Sequence, residues 1–266
     1  MKMQHVRLVT LLALTAGAVR TVQAANPDSP WALSIYGGDS VAMTGSLRTP
    51  TTTTFTDLGT LDPALAGTSG ALSLDKLRYE DLFRRRYDTG LELNYSFNEN
   101  LQTFGRFNYD ALGGRTRTIG ELTSESVATP TPLVARFGDA DNMSVELGSR
   151  YYWPTGMSWK PFVGAALGAT HLDSMTASLA VPDTALDEQS VRFTRAGTVF
   201  SQSLETGVEY NPNTNFGMRF SVNADHSGAP PSANDPGLTA IGFDAAHDAQ
   251  SRWAFPVAVA ATYRFE

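Results

Sequence analysis

In several stretches of the chain, polar and ionisable side chains alternate with apolar ones. In residues 87–97, Glu92 lies between Leu91 and Leu93, and in residues 101–110, Arg106 lies on a row that alternates with apolar side chains. Because successive side chains of a β-strand point to opposite faces, this alternation predicts strands with one apolar and one charged face. The charged rows contain Glu92, Arg106, Glu146, Arg150, Glu205, Glu209, Arg219 and Arg264.

Acidic and basic side chains on these rows are suited to pairing with each other. Glu92 and Arg106 lie on neighbouring predicted strands, as do Glu205 or Glu209 and Arg219. If the charged rows face a closed interior, each buried charge requires a partner, and we expect a salt-bridge network that fills this interior. The same network would suit a gate or selectivity element, but a closed sheet of about eight strands leaves little room for a pore. We therefore favour a structural role.

The histidines offer little catalytic or metal-binding chemistry. His226 is followed directly by Ser227. A nucleophile needs its base within hydrogen-bond reach, whereas adjacent residues of a strand point to opposite faces. His171, His226 and His247 show no spacing that is typical of metal ligands. We expect no catalytic residues, no metal site and no cofactor.

Eight stretches of the chain have strand character, and they are joined alternately by long and short connections. The predicted strands are Trp31–Met43, Tyr87–Phe97, Leu101–Asp110, two strands within Met143–Leu172, Val199–Tyr210, Phe216–Asp225 and Arg252–Phe265. Short turns join the second strand to the third, the fourth to the fifth and the sixth to the seventh. In an up-and-down arrangement these turns and both chain ends lie on one side, and the long loops lie on the other.

The apolar rows hold large aromatic side chains near the strand ends, such as Tyr151, Trp153 and Trp159 around one turn. A small barrel has no room for so many rings in its interior. Rings at strand ends are typical of the aromatic girdle of a membrane barrel. We therefore predict an all-β fold, a transmembrane eight-stranded antiparallel up-and-down β-barrel with its apolar rows facing lipid. A soluble eight-stranded barrel with the apolar rows inside is the alternative.

Asp39 departs from this pattern, because its charge falls on the apolar row of the first strand. We expect one of two explanations. Either Asp39 lies at the depth of the lipid head groups, or a bulge at Gly37-Gly38 exchanges the two faces of the strand.

Residues 1–24 have the composition of an export signal. Lys2 and Arg7 precede a short apolar run that begins at Leu8, and Val22-Gln23-Ala24 is typical of a cleavage site. We predict a signal peptide at 1–24 and a single barrel domain at 25–266. The chain contains no cysteine, so a disulfide framework and thiolate metal ligands are excluded. Its formal net charge of -7 argues against a nucleic-acid partner.

Four segments resemble those of eight-stranded outer-membrane β-barrel proteins, the OmpA/OmpX-type barrels and their relatives. They are Arg150–Trp153, Trp159–Gly168, Gly207–Tyr210 and Val257–Phe265. The resemblance implies a location in a Gram-negative outer membrane and no defined activity. Tyr263 and Phe265 are similar to the C-terminal signature that the barrel-assembly machinery recognises, and periplasmic chaperones are further expected partners. The chain departs from that signature because Glu266 follows the final aromatic residue.

Nine arginines lie in the long loops or at their ends: Arg84, Arg85, Arg86, Arg115, Arg117, Arg136, Arg192, Arg195 and Arg252. A guanidinium fork binds phosphate in bidentate fashion, and the outer leaflet of such a membrane is rich in phosphorylated lipid. We expect contacts with lipopolysaccharide phosphates for Arg84, Arg85, Arg86, Arg115, Arg117 and Arg252. Ordinary solvation of loop residues explains the same arginines equally well.

These features favour a structural and surface-interaction role, which combines envelope integrity, lipopolysaccharide contact and recognition through the loops. A small porin-like channel for passive uptake of small or apolar solutes is the first alternative. A lipid A-modifying hydrolase is the second, because His226-Ser227 distantly resembles the His/Ser pair of outer-membrane lipid A deacylases, whose motif places one residue between the two. Loops rich in Ser, Thr, Gly and Pro, such as Thr49–Thr54, suit either recognition or featureless surface segments.

Overall fold

The computed structural model describes residues 30–60, 63–125, 127–181, 189–233 and 249–265, and the predicted signal peptide lies outside them. Eight strands form a closed barrel. Numbered along the chain, they are β1 (Trp31–Thr44), β6 (Phe83–Ser96), β7 (Leu101–Gly114), β10 (Ala140–Tyr152), β11 (Trp159–Leu172), β14 (Gly197–Tyr210), β15 (Phe216–Ser227) and β16 (Arg252–Arg264). Their order around the barrel is β1-β16-β15-β14-β11-β10-β7-β6, and β6 pairs again with β1.

The chain runs up and down between neighbouring strands of the barrel. Short connections at 97–100, 153–158 and 211–215 join β6 to β7, β10 to β11 and β14 to β15. The first and last strands meet at the same end, where Ala32 is opposite Arg264. We call this end the turn end and the other the loop end. The predicted eight-stranded antiparallel up-and-down barrel is confirmed.

The outward rows of the strands are apolar along the middle of the barrel. Leu147 on β10 is 72% exposed and Leu204 on β14 is 61% exposed. Outward side chains of the same kind are Leu91, Leu93, Phe107, Val145, Leu167, Val222 and Val259. The inward rows carry charged, amide and hydroxyl side chains instead. This distribution is the reverse of that in a soluble barrel, and it is stable where hydrocarbon surrounds the strands.

Aromatic side chains ring the barrel at both ends. At the turn end, aromatic rings pack in pairs. The distance between ring centroids is 4.9 Å for the pair Trp31–Tyr95, 5.6 Å for Tyr151–Trp153 and 4.5 Å for Trp159–Tyr210. At the loop end, the exposed rings of the outward rows are Tyr87, Phe200 and Trp253. Girdles of this kind lie at the two interfaces of a membrane barrel, so the rings set its depth in the bilayer.

Strand β1 contains a β-bulge, but it lies after Asp39 rather than at Gly37-Gly38. The ladder between β1 and β16 skips Val41, which is 73% exposed. Asp39 lies before the bulge and stays on the outward row, so the exchange of faces expected at Gly37-Gly38 does not occur there. Beyond the bulge the two rows exchange faces, and Met43 points inward with 7% of its surface exposed.

The long connections were expected to be polar loops, but they contain a second layer of β-structure at the loop end. Its strands are β2 (Ser46–Arg48), β3 (Thr51–Phe55), β4 (Gly70–Leu74), β5 (Leu77–Arg78), β8 (Thr116–Ser124), β9 (Val127–Phe137), β12 (Met175–Ala180) and β13 (Gln189–Thr194). They form a six-stranded sheet in the order β13-β12-β9-β8-β4-β3 and a separate β2-β5 pair. With two 3₁₀ turns (Leu58–Thr60 and Pro63–Leu65) and helix α1 (Tyr79–Leu82), these strands make up the cap.

Helices contribute very little to the fold. Within the ranges that the structure describes, α1 and the two 3₁₀ turns are short, and no helix has the length and apolar character needed to cross a membrane.

An apolar core lies inside the cap and holds its strands together. Leu58, Leu82 and Ile119 are almost fully buried in this core, and each such side chain contributes about 1.5–3 kcal/mol to stability. Met43 and Phe83, from the loop ends of β1 and β6, belong to the same core. Because barrel and cap share these side chains, the apolar core lies across the loop end of the barrel.

Single cysteines introduced into this cysteine-free chain will show which surface faces lipid. In liposomes, Leu147→Cys and Leu204→Cys should react with a lipid-soluble maleimide and resist a charged, membrane-impermeant one. Thr52→Cys, on the exposed side of cap strand β3, should react with the charged reagent and is the matched control. Equal labelling of all three variants by the charged reagent, added on both sides of the membrane, would show that the outward rows face water.

Candidate functional site

Ionisable side chains from several strands meet at the middle of the barrel interior. Glu92 on β6 is directly opposite Arg106 on β7, and Arg106 is opposite Glu146 on β10. Each lies on the inward row of its strand and is buried, so strand alternation alone brings them into one space. We call the set formed by Glu92, Arg106, Glu146, Arg150, Glu205 and Arg219 the central cluster.

The guanidinium of Arg150 is fully buried and joins two carboxylates. Its Nη1 donates to Glu92 Oε1 at 2.7 Å, and its Nη2 donates to Glu205 Oε2 at 3.2 Å. Nη2 also donates to the other oxygen of Glu92, and Nε donates to the other oxygen of Glu205. Because the guanidinium is planar and offers five N–H groups, Arg150 holds both carboxylates in bidentate fashion.

Arg106 and Arg219 complete the central cluster. Arg106 donates from Nε to Glu92 at 3.1 Å and from Nη2 to Glu205 at 2.6 Å, and its Nη1 lies 3.6 Å from Glu146. Arg219 Nη2 lies 2.9 Å from Glu92 Oε1. The positive charges of three arginines therefore match the negative charges of three glutamates, which limits the cost of removing them from water.

A smaller polar group lies nearer the turn end. Glu209 accepts a hydrogen bond from Tyr152 Oη at 2.8 Å and another from Arg264. The structure thus places all eight residues of the expected network on inward rows, in two groups. One pairing differs from the expectation, because Arg219 reaches Glu92 on β6 rather than Glu205 or Glu209 on its neighbour β14. A comparison of neighbouring strands in the sequence cannot identify partners that meet across the barrel interior.

Three uncharged residues shape the space around the central cluster. The Cζ atom of Arg150 lies 3.9 Å from the ring centroid of Phe104, which is a cation–π contact. A Cβ atom on Gly148 would come within 2.4 Å of Phe104 Cζ, and one on Gly164 would come within 2.6 Å of Glu205 Oε1. Charge alone does not identify these residues in the sequence, although alternation places Phe104, Gly148 and Gly164 on the charged rows.

A second polar layer lies between the central cluster and the cap. Asp88 is directly opposite Asp110 in the β6-β7 ladder, and both are buried. Asp110, Ser144 and Arg252 line a polar cavity of about 20 Å³. Arg252 is only 5% exposed and its Cζ lies 6.0 Å from the ring centroid of Tyr79. The expected contact of Arg252 with lipid phosphate is therefore wrong, because this side chain points into the barrel.

The architecture decides the class of protein. An even number of strands, short turns at one end, long connections at the other and an apolar exterior between two aromatic girdles characterise bacterial outer-membrane barrels. The protein is an eight-stranded transmembrane β-barrel.

Three solved structures are similar to this barrel. Neisserial surface protein A is 11% identical, with 87% of this chain and 96% of that chain covered and a TM-score of 0.37. Ail, the attachment invasion locus protein of Yersinia pestis, is 13% identical over 87% and 98% of the two chains, with a TM-score of 0.37. The outer membrane protein OprG from Pseudomonas aeruginosa is 12% identical over 89% and 97%, with a TM-score of 0.35. No family model and no curated protein matches the chain.

The other arginines expected to contact lipopolysaccharide occupy different environments. Arg84 is exposed near the start of β6, and exposed Arg115 donates to a backbone carbonyl of α1 at 3.3 Å. Arg117 forms an ion pair with Asp81 of α1 at 2.7 Å. The backbone at 85–86 belongs to β6 rather than to a loop, and the two side chains there, Arg85 and Arg86, lie outside the description.

His226 and Ser227 face opposite sides of β15. His226 stacks on Trp253, an outward residue, with 4.7 Å between ring centroids, whereas Ser227 is buried on the inward row. The imidazole is therefore not placed to serve as the base for the hydroxyl, and the hydrolase alternative loses its candidate residues. His247 lies outside the described ranges. Among the residues within them, no group of three or more His, Cys, Asp or Glu side chains is arranged to hold a metal ion.

Replacing Arg150 will measure how strongly the barrel depends on the central cluster. Arg150→Ala leaves Glu92 and Glu205 in a dry interior without their main partner, and we expect the free energy of unfolding to fall by about 3–5 kcal/mol. Urea unfolding of refolded protein in detergent, followed by tryptophan fluorescence, measures the loss. Arg117→Ala, which removes an exposed ion pair, is the matched control and should cost about 1 kcal/mol or less. Equal losses in both variants would contradict this assignment.

Proposed function

We propose that the protein is a non-conducting outer-membrane barrel with a structural and surface-interaction role. It contributes to envelope integrity and presents the cap at the cell surface. The observation that carries the proposal is the closure of the barrel interior at two levels. The central cluster occupies the middle of the barrel, and the apolar core of the cap lies across its loop end.

The central cluster supports the absence of a pore. A solute moving along the barrel axis would have to separate Arg150 from the carboxylates of Glu92 and Glu205, which it holds within hydrogen-bond distance. Charge-assisted hydrogen bonds are strong in a medium of low dielectric constant. A barrel of about eight strands has room for its own side chains and for little else. Porin-like uptake is therefore the weaker alternative.

The cap supports closure independently of the charges. Leu112 and Ala140 are opposite each other on the inward rows of β7 and β10, and both belong to the apolar core. Displacement of the charged side chains would leave this core in place. Conduction would require both layers to open at once.

The cap also supports a role in surface interaction. Its six-stranded sheet presents hydroxyl groups to solvent, including those of Thr52, Thr54, Thr116 and Thr118. Surface segments that are held by a rigid scaffold commonly carry recognition. In this protein the scaffold is the barrel together with the shared apolar core.

Two further contacts belong to the proposal. Exposed Arg84 and Arg115 suit phosphate groups of lipopolysaccharide, since guanidinium binds phosphate in bidentate fashion. At the turn end, the rings of Tyr263 and Phe265 pack edge to face with centroids 5.7 Å apart. These two rings, at the end of the last strand, serve as the signal for the barrel-assembly machinery after delivery by periplasmic chaperones.

Planar-bilayer recording of the refolded protein will test closure. Only preparations whose gel mobility shifts on boiling, which demonstrates a folded barrel, are used. We expect no discrete conductance steps, because the central cluster and the cap core both cross the interior. Reproducible steps from the wild-type protein would contradict the proposal and favour the channel.

Arg106→Ala will separate a plug from a gate. We expect this variant to be less stable in urea and still silent in the bilayer, because the cap core remains across the loop end. Arg78→Ala, which removes an exposed ion pair with Glu80 at 3.3 Å, is the control for the loss of one positive charge. Unchanged stability together with raised conductance in Arg106→Ala would show that the central cluster acts as a gate.

A further inference from the structure

An open groove of about 700 Å³ lies where the barrel meets the cap sheet. Arg84, at the start of β6, lines one side, and Gly114 and Thr116 line it where β7 passes into β8. Arg136 of β9 and Ser178 of β12 complete the polar lining. Small-molecule sites in proteins commonly have volumes of about 300–1,000 Å³, so the groove has the size of a ligand site.

Three neighbouring strands direct polar side chains to this groove. Thr116 on β8 is directly opposite Arg136 on β9, and Arg136 is opposite Ser178 on β12. Residues that are directly opposite in a sheet project to the same face. Arg136 therefore lies between Thr116 and Ser178 on one face of the cap sheet.

Backbone contacts fix the shape of the groove at its edge. Asp139 Oδ1 accepts a hydrogen bond from the backbone N–H of Gly114 at 2.9 Å. A Cβ atom on Gly114 would come within 2.0 Å of the carbonyl oxygen of Phe137, so this crossing requires glycine. The groove is thus formed before any ligand arrives, which lowers the entropic cost of binding.

The groove has an excess of positive charge. Neither Arg84 nor Arg136 forms an ion pair with another residue that the structure describes, whereas Arg78 and Arg117 each do. Among the described residues that line the groove, Asp139 supplies the one negative charge. The full chain has a formal net charge of -7, so this positive region is a local feature of an acidic protein. An anion bound in the groove would offset this local positive charge.

We propose that the groove binds a saccharide that carries phosphate or sulfate esters. Arg84 and Arg136 bind the oxyanion, for which the planar guanidinium fork is well suited. The hydroxyl groups of Thr116 and Ser178 and the second carboxylate oxygen of Asp139 bind sugar hydroxyls. The proposal rests on the surface-interaction role, because it requires a cap that is folded at the cell surface.

Two sources supply this chemistry at the outer surface. One is the phosphorylated sugar of the outer-leaflet lipid that surrounds the barrel. The other is a soluble or cell-bound anionic saccharide that approaches from outside. Both present oxyanions on a sugar scaffold, and the lipid composition of the membrane distinguishes them.

Isothermal titration calorimetry on protein in phosphatidylcholine nanodiscs tests the proposal. We expect a dextran sulfate oligosaccharide to bind and uncharged dextran of the same length not to bind. Arg84→Gln and Arg136→Gln should each weaken binding about tenfold, since each removes a charge-assisted contact. Arg78→Gln, which removes the same charge elsewhere on the cap, should change the affinity less than about twofold. The boiling-dependent gel shift confirms that each variant is folded.

Three results would overturn the proposal. They are the absence of dextran sulfate binding, equal binding of uncharged dextran, and equal weakening by Arg78→Gln and the two groove variants. The last result would reduce the effect to general surface charge. Repeating the titration in nanodiscs that contain lipopolysaccharide identifies the source. Loss of dextran sulfate binding there assigns the groove to the surrounding lipid, and retained binding assigns it to a saccharide from outside.

The outcome of the dextran sulfate titration does not depend on the outcome of the conductance experiment. A wild-type protein that conducts would refute closure and leave a positive titration valid. A silent protein that does not bind dextran sulfate would refute the groove alone.

Discussion

The barrel depends on the buried salt bridges that Arg150 forms with Glu92 and Glu205. A dry interior accepts charged groups only when they are paired and hydrogen-bonded, so side chains from β6, β10 and β14 have to meet within hydrogen-bond distance. A slip of one residue in β10 would turn Arg150 toward lipid and bring Leu147 into the interior. The hydrocarbon outside and the paired charges inside therefore select the same strand register.

In the cap, the arrangement of polar and apolar side chains is the reverse of that in the barrel. Where the barrel strands leave the bilayer, their inward rows change from charged residues to apolar ones such as Met43 and Leu112, and these side chains enter the core of the cap. The exterior becomes rich in hydroxyl groups at the same level. The bulge at Val41 is part of this change, since it moves Met43 from the outward to the inward row. Apolar and polar faces thus exchange places where the surrounding solvent changes from lipid to water.

Alternation of side chains was sufficient to predict the barrel strands, their topology and the inward position of the charged rows. It could not predict the partner of Arg219, because contacts across the interior depend on the diameter and tilt of the closed barrel. The cap strands were predicted as loops because these connections are rich in Thr, Ser and Gly and contain turn residues. Arg252 was placed at the surface for a related reason: it begins a strand, and only the cap above it shows that its side chain is covered.

The shared apolar core makes the cap depend on the barrel. Its members come both from cap strands and from the loop ends of β1, β6 and β7, so it cannot be complete until those barrel strands have paired. Cap and barrel are therefore coupled through side chains that they share. The cap and the loop end of the barrel should lose their structure together as one cooperative unit.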